Sequence, residues 1–319
     1  MKIDKLGVTA RSFKADIDTK DPKTGKYKDP LMHWPLRGAA YTNEVGEALR
    51  PLIGEYATLS WVPALLYIGA DIYDKYKNNE TEYSPSSQRG LKQAVFQGMA
   101  SIFLPLVAVK TGQSIFSLWG YAMQDKISIN SKEQVLNIAE EFVTNGNLRA
   151  YKDNDTECIQ KFMDNVTNNM DYHKNEGAEV NPFKRAFLMF EKMFSKKQIN
   201  KKQENINNYA RATMQGAIDL RRKMLNPSEE FKNTKEYLNY KELLDLGQTK
   251  NVAVKNVINK KIKKDLLPGK VIKTCGGFIA LALLVKPIDR FVEEVLIGKL
   301  IDKSIEKRRS AVISEPSEA

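Results

Sequence analysis

The sequence predicts an all-α protein, an integral membrane bundle of three transmembrane helices, with four as an open alternative. Three apolar stretches support this prediction: Pro51 to Ala70, Ala94 to Met123 and Val271 to Ile288. A helix that crosses a bilayer core needs roughly 20 mostly apolar residues, and the first stretch has this length with Glu55 as its only charge. The long polar block between the second and third stretches predicts an extramembrane helical insert.

Changes in composition divide the chain of 319 residues into parts. We expect a flexible basic tail at 1–36, a first membrane part at 37–123, a polar helical insert at 124–267, a last membrane span and helix at 268–302, and a disordered tail at 303–319. The first residues have no apolar core of the kind that a secretory signal peptide contains, and their aspartates are atypical of a mitochondrial transit peptide.

Each membrane element has features that affect how it folds. The segment from Pro35 to Arg50 predicts an amphipathic helix that runs directly into the first span, where Pro63 is expected to free a backbone carbonyl. Lys110 interrupts the second stretch, so that one tilted helix of about 30 residues and a broken pair of helices both fit. Small residues that allow helices to approach closely are Ala94, Gly98, Ser101, Gly276 and Ala280.

The insert predicts four to six short helices outside the bilayer. Apolar residues have helical spacing in four of its segments, 131–143, 181–194, 206–225 and 235–246. A basic run from Asn259 to Lys270 precedes the last span, and each lysine near an anionic surface contributes about 1 kcal/mol. This run favours the cytoplasmic or matrix side for the insert.

The net charge of +11 bears on the partners of the chain. Basic residues beside apolar spans are typical of contact with anionic lipids, whereas no pattern of stacking aromatic residues accompanies the basic clusters, so nucleic acid is an unfavoured partner. We expect a lipid bilayer with anionic lipids and a protein partner that binds the insert, and a homo-oligomer is compatible with the sequence.

Charged and amide side chains gather at the edges of the spans, where an isolated charge is costly. Glu47 can reach Arg50 at i+3, and Asp71 can reach Lys75 at i+4. We interpret these groups as a polar network that locks the helix ends. The residues assigned to it are Asn43, Glu44, Gly46, Glu47, Arg50, Asp71, Asp74, Lys75, Gln97, Pro287, Asp289 and Arg290.

Glu55 is a candidate intramembrane carboxylate, because it lies in the first stretch without a local partner. An ion or proton conduit through Glu55, Asp71 and Asp289 is therefore the alternative to a structural network. Enzyme chemistry has less support, since the chain has two histidines, two cysteines and no HExxH, CxxC or GxSxG motif. We predict no enzymatic activity, no metal site and no cofactor.

Four ordered motifs resemble the mitochondrial fission process protein family, whose members are small inner-membrane proteins. The family pattern YxNEVGEAxR matches Tyr41 to Arg50, ADxxDK matches Ala70 to Lys75, QxxASxxxP matches Gln97 to Pro105, and PIDR matches Pro287 to Arg290. The resemblance covers residues 37–123 and 268–302 and includes no catalytic motif. It implies a membrane architecture and a non-enzymatic role in organising or dividing the inner membrane.

Two features differ from the family pattern. The insert from Gln124 to Pro268 has no counterpart, and Lys286 replaces the histidine that precedes PIDR. The chain thus resembles a bacterial-type relative, with an expected location in the bacterial inner membrane, or in the mitochondrial inner membrane if it is eukaryotic. The expected function is a membrane-organising scaffold whose insert presents a helical adaptor domain.

Overall fold

The computed structural model describes residues 29–79, 83–118, 127–150, 154–170 and 199–303. Within these ranges the regular structure is helical and contains no strand, which confirms the all-α class. The longer helices are α1 (Thr42–Ile53), α2 (Trp61–Lys77), α3 (Ser87–Ser117), α4 (Ile129–Thr144), α5 (Asp155–Asn169), α6 (Ile199–Leu225), α7 (Lys235–Asp245) and α8 (Lys250–Asp302). Shorter helical turns lie at Pro30–Met32, Leu36–Ala39, Gly54–Ser60, Asn147–Ala150 and Glu229–Lys232.

The described residues form two compact units. Unit 1 contains those in Met1–Gly112 and Gly276–Ala319, and unit 2 contains those in Gln113–Cys275. Unit 1 therefore holds α1, α2, α3 as far as Gly112, and α8 from Gly276 onward. Unit 2 holds α4 to α7 and the first part of α8.

Unit 2 has a conventional hydrophobic core. Side chains from α4, α5, α6 and α8 bury Val135, Phe162, Met214 and Ile258 almost completely. The rings of Phe142 and Phe162 meet edge to face with centroids 5.5 Å apart. Removal of such apolar surface from water is the main favourable term in the folding of a water-exposed domain.

Most of the helices predicted for the insert are present. Segments 131–143, 206–225 and 235–246 are confirmed by α4, α6 and α7, whereas segment 181–194 lies outside the described residues. Helix α5 was not predicted. Its signal is an N-cap asparagine with a glutamate three residues later: Oδ1 of Asn154 accepts a hydrogen bond from the backbone N–H of Glu157 at 3.1 Å, and its side-chain amide donates to the Glu157 carboxylate.

The first apolar stretch is divided, and the expectation that the preceding helix runs directly into one span is wrong. Helix α1 ends at Ile53, and Gly54 follows with a φ of 61°, a conformation that glycine adopts without steric cost. A 3₁₀ turn at Gly54–Ser60 then leads into α2. Pro63 lies in the first turn of α2, so its missing N–H breaks no α-helical hydrogen bond and the expected free carbonyl does not arise.

The second apolar stretch is one helix through Lys110 rather than a broken pair. Helix α3 continues to Ser117, with π-helical geometry at Gln97–Phe103. Among the described helices, α3 and α8 are long and apolar enough to cross a membrane, and only 28% of the most apolar window of each is buried. These two helices weakly indicate membrane association, and a count of three or four spans stays a prediction.

Candidate functional site

Unit 1 buries several polar side chains among mostly small apolar ones, and its surface carries large apolar side chains. Its buried polar residues, each at most 7% exposed, are Asn43, Glu44, Glu47, Asp71 and Gln97. Its buried apolar cluster is small and consists of Ala48, Val109 and Leu281, with Val285 packed against them. In contrast, Leu59, Leu66 and Leu283 are 67%, 70% and 68% exposed. Exposed apolar surface of this kind marks contact with lipid or with another protein.

The Glu47 carboxylate is the most strongly bonded group of this interior. Its Oε2 accepts a hydrogen bond from Arg50 Nε at 2.8 Å and lies 3.3 Å from Lys110 Nζ, while its Oε1 accepts from Trp61 Nε1 at 3.0 Å. Burial raises the pKa of Glu47, but the hydrogen bonds from Arg50 and Trp61 and the charges of Lys110 and Arg50 lower it to about 2. The predicted pair with Arg50 is present, and the ionised carboxylate also joins α1 to α2 and α3.

Asp71 joins α2 to α3 through side-chain amides. Both Gln93 and Gln97 donate a hydrogen bond from Nε2 to Oδ2 of Asp71. The expected i+4 ion pair with Lys75 is not formed, because the Lys75 ammonium instead binds Oδ2 of Asp29 at 2.7 Å. Asp71 thus faces α3, and the signal for its partners was the pair of glutamines one helical turn apart in sequence.

Asn43 connects α1 to a weak point in α3. Its Nδ2 donates a hydrogen bond to the backbone carbonyl of Ser101 at 2.7 Å. In a regular α-helix that carbonyl accepts from the N–H of residue 105, which is proline here and has no N–H. The Asn43 amide therefore supplies the missing donor, and Ser101 Oγ also donates to Gln97 Oε1 at 2.6 Å.

Gly46 allows α1 to contact the Gly54–Ser60 turn. A Cβ atom added at Gly46 would lie 1.7 Å from Oγ and 2.5 Å from Cβ of Ser60. Any side chain at this position would clash, because real Cβ atoms do not approach other heavy atoms so closely. The assignment of Gly46 to a close structural contact thus has a physical basis.

Gly112 allows α3 to approach α8 within unit 1. A Cβ atom added there would lie 2.3 Å from the carbonyl oxygen of Gly276 and 2.6 Å from Cβ of Ala280. Gly98, which the sequence favoured as a packing position, would instead have no neighbour within 4 Å of an added Cβ. The small residues Gly276 and Ala280 do lie at the contact, but their partner on α3 is two turns of helix beyond Pro105.

A cavity of about 260 Å³ opens among the helices of unit 1, and its lining includes Glu44, Asp71 and Asp289. Burial, and then the charge of Asp289, raise the pKa of Glu44 to about 7. The carboxyls of the first, second and last sequence motifs thus reach one space. A space with excess negative charge can hold a proton or a cation.

The remaining predicted residues lie at the edges of this cluster or outside it. Asp74 accepts a hydrogen bond from Asn78 Nδ2 at 3.0 Å and lies 3.8 Å from Lys75 Nζ. Glu55 is exposed in the 3₁₀ turn, and Pro287 and Arg290 are exposed on α8. Sequence reasoning grouped Gln93 with Gln97 but missed Trp61 and Lys110 as members of the network, since their partner Glu47 is remote in sequence.

No protein-family model, no curated protein and no solved structure matches this chain. In the part of the chain that the structure describes, no group of three or more His, Cys, Asp or Glu side chains is placed to hold a metal ion. The polar cluster therefore has two evident physical capacities: it holds three helices together, and its cavity can accept positive charge.

Proposed function

We propose that this chain is a non-enzymatic membrane protein, similar to mitochondrial fission process proteins, that organises an inner membrane or its division. Unit 1 is the bilayer anchor, and unit 2 is a helical adaptor domain. The proposal rests on the burial pattern of unit 1, in which carboxylates and amides are inside and large leucines are outside. In water each Å² of exposed apolar surface costs about 25 cal/mol relative to burial, and contact with lipid removes this cost.

The contacts between the motifs support a structural role for them. Asn43 of the first motif bonds the carbonyl of Ser101 in the third motif, and Gln97 of the third bonds Asp71 of the second. If these motifs specify helix packing, their residues should contact one another, as they do here. This supports the scaffold over an enzyme, whose motif residues would converge on a substrate.

The properties of unit 2 support its role as an adaptor. Its own hydrophobic core allows it to be ordered in water, whereas the apolar cluster of unit 1 is small. Lysines on α8, including Lys260, Lys261 and Lys264, give it a basic surface that suits anionic lipid headgroups. We propose a protein partner for this unit, with nucleic acid as an unfavoured one.

Depletion of the chain in its native cell, followed by imaging of the inner membrane, tests the scaffold directly. We expect enlarged or undivided membrane compartments and rescue by the wild-type chain. A chain with Gly46→Ala, which disrupts the packing of α1, should fail to rescue, whereas Gly69→Ala should succeed, because an added Cβ at Gly69 has no neighbour within 4 Å. Normal membrane morphology after depletion contradicts the proposal.

An ion or proton conduit is the second candidate, and the cavity lined by Glu44, Asp71 and Asp289 favours it. Ion and proton flux into vesicles that contain the purified chain separates the two candidates. A conduit requires flux that Asp289→Asn lowers in the folded protein. The scaffold predicts flux no greater than that of empty vesicles. Glu55→Gln should leave the flux unchanged for either candidate, because Glu55 is exposed outside the cavity.

A further inference from the structure

The cavity in unit 1 contains two carboxylates that lack bonded partners. Glu44 is 7% exposed and lines the cavity together with Asp289 on α8. Neither carboxylate forms a hydrogen bond or an ion pair with another described residue. A buried carboxylate is costly unless it is neutralised or paired with a donor. A cation bound between Glu44 and Asp289 would therefore stabilise both groups.

The other acidic groups that line the cavity already have donors. Asp71 accepts hydrogen bonds from Gln93 and Gln97, and Asp29 is paired with Lys75. These three contacts leave Glu44 and Asp289 as the pair that a bound cation would meet. The two carboxylates without a donor thus lie on one side of the cavity, with Glu44 on α1 and Asp289 on α8.

The lining also contains a basic residue without an ion pair, beside the paired Lys75, and several aromatic rings. The Arg37 guanidinium lines it and forms no ion pair with another described residue. Tyr41, Tyr67 and Phe96 contribute aromatic rings to the same lining. Arginine favours phosphate, and aromatic faces attract organic cations. The lining therefore combines acceptors for an ammonium group with a donor for an anion.

We propose that this cavity binds a small zwitterion of the phosphoethanolamine type, with its primary ammonium between Glu44 and Asp289 and its phosphate at Arg37. A primary ammonium has N–H groups that it can donate to both carboxylates, and such charge-assisted hydrogen bonds are roughly twice as strong as neutral ones. A quaternary ammonium has no N–H to donate, so phosphocholine is bound more weakly. The cavity of about 260 Å³ is larger than a bare metal ion requires.

The zwitterion has two sources, a phosphatidylethanolamine headgroup and free phosphoethanolamine, and both carry the same groups. The site does not depend on the proposed membrane role, because a water-exposed cavity with this lining would bind the free compound. Binding and membrane anchoring can therefore be tested separately. Loss of one leaves the other measurable.

Isothermal titration of the full chain in detergent micelles with dihexanoyl phosphatidylethanolamine tests the proposal. We expect saturable binding that Glu44→Gln and Asp289→Asn each weaken at least tenfold and that Arg37→Gln weakens several-fold. Glu55→Gln is the matched control, since it neutralises an exposed carboxylate outside the cavity. It should leave the affinity unchanged, and circular dichroism should show that all four variants are folded.

Two further titrations identify the recognised group and its source. Dihexanoyl phosphatidylcholine should bind at least tenfold more weakly than the ethanolamine lipid. Equal affinity for free phosphoethanolamine supports the site with a soluble source, and selective affinity for the lipid supports it with a bilayer source. Equal binding of the two lipids overturns the proposal, as does unchanged affinity in both Glu44→Gln and Asp289→Asn.

Discussion

At the scale of single residues, unit 1 depends on side chains whose partners lie far away in the sequence. Glu47 is stabilised by Lys110, and Asn43 by the carbonyl of Ser101. The sequence predicted the local pair between Glu47 and Arg50, because helical spacing alone determines it. It could not predict the pairing of Lys110, which depends on how α1 packs against α3. Local geometry can be predicted from spacing, and tertiary pairing cannot.

Glu44 makes the stability of unit 1 dependent on pH. Its pKa rises from the ordinary value of 4.5 to about 7, so the folded state favours the protonated form. Its contribution to stability is complete below about pH 4.5 and is lost as the pH rises to about 7. We expect Glu44→Gln to have little effect on Tm at pH 4.5. At pH 8 the substitution should raise Tm, because it adds up to about 3 kcal/mol to the free energy of unfolding.

Thermal unfolding in detergent, without zwitterionic ligands, at these two pH values provides the measurement. Glu55→Gln is the control, and its effect on Tm should be small at both. The same change in Tm for Glu44→Gln at pH 4.5 and pH 8 would show that the buried carboxyl is not the cause.

The contact between Gly46 and Ser60 leaves no room for a methyl group. We expect Gly46→Ala to lower the free energy of unfolding by about 1–3 kcal/mol through overpacking. Gly69→Ala in α2 should instead be neutral or stabilising by about 0.5–1 kcal/mol, since alanine is the better helix former and space is available. Equal effects of the two substitutions on denaturant midpoints would contradict the packing of α1 described here.

At the scale of helical elements, polar side chains of α1 supply partners to polar groups within the apolar helix α3. The carbonyl of Ser101 has lost its helical donor to Pro105, and the Asn43 amide replaces it. Lys110 lies within one continuous helix, and its ammonium is 3.3 Å from the Glu47 carboxylate. From the sequence alone, Lys110 looked equally compatible with a break, since its counter-charge belongs to another element.

A double-mutant cycle tests whether the Asn43 amide replaces the N–H that Pro105 lacks. Asn43→Ala alone should cost about 1–3 kcal/mol, because it leaves a buried carbonyl without a donor. In a chain that also carries Pro105→Ala, the N–H of Ala at this position can donate to Ser101, so the cost of Asn43→Ala should fall. Chemical denaturation of the four chains gives the coupling energy. Additive effects would exclude this compensation.

The crossing of α3 and α8 within unit 1 depends on Gly112. We expect Gly112→Ala to destabilise unit 1 by about 1–3 kcal/mol, because the added methyl meets the backbone of Gly276. Gly98→Ala is the matched control on the same helix, with open space around an added Cβ. Denaturation in detergent should separate the two variants. A larger loss for Gly98→Ala would restore the packing position that the sequence favoured.

At the scale of the whole molecule, the two units differ in what they bury: unit 2 has a large apolar core, and unit 1 has a small one beside buried carboxylates and amides. The helices of unit 2 were largely predictable, because apolar spacing on a water-exposed helix identifies its buried face. Unit 1 was less predictable at the first apolar stretch, where hydropathy predicted one span. The break there depends on Gly54 and on the contact of Gly46 with Ser60, which a hydropathy pattern does not register.

The central claim is that unit 1 lies in a bilayer while unit 2 is in water, and cysteine labelling tests it most directly. Leu283 in unit 1 and Leu246 in unit 2 are 68% and 72% exposed, so their exposure in the structure alone predicts equal reactivity. Each is changed to cysteine in a chain whose Cys158 and Cys275 are replaced by alanine, and open membrane sheets are treated with a charged maleimide. The account predicts rapid labelling at 246, and labelling at 283 only after denaturation in SDS. Equal labelling at both positions in native sheets would contradict it.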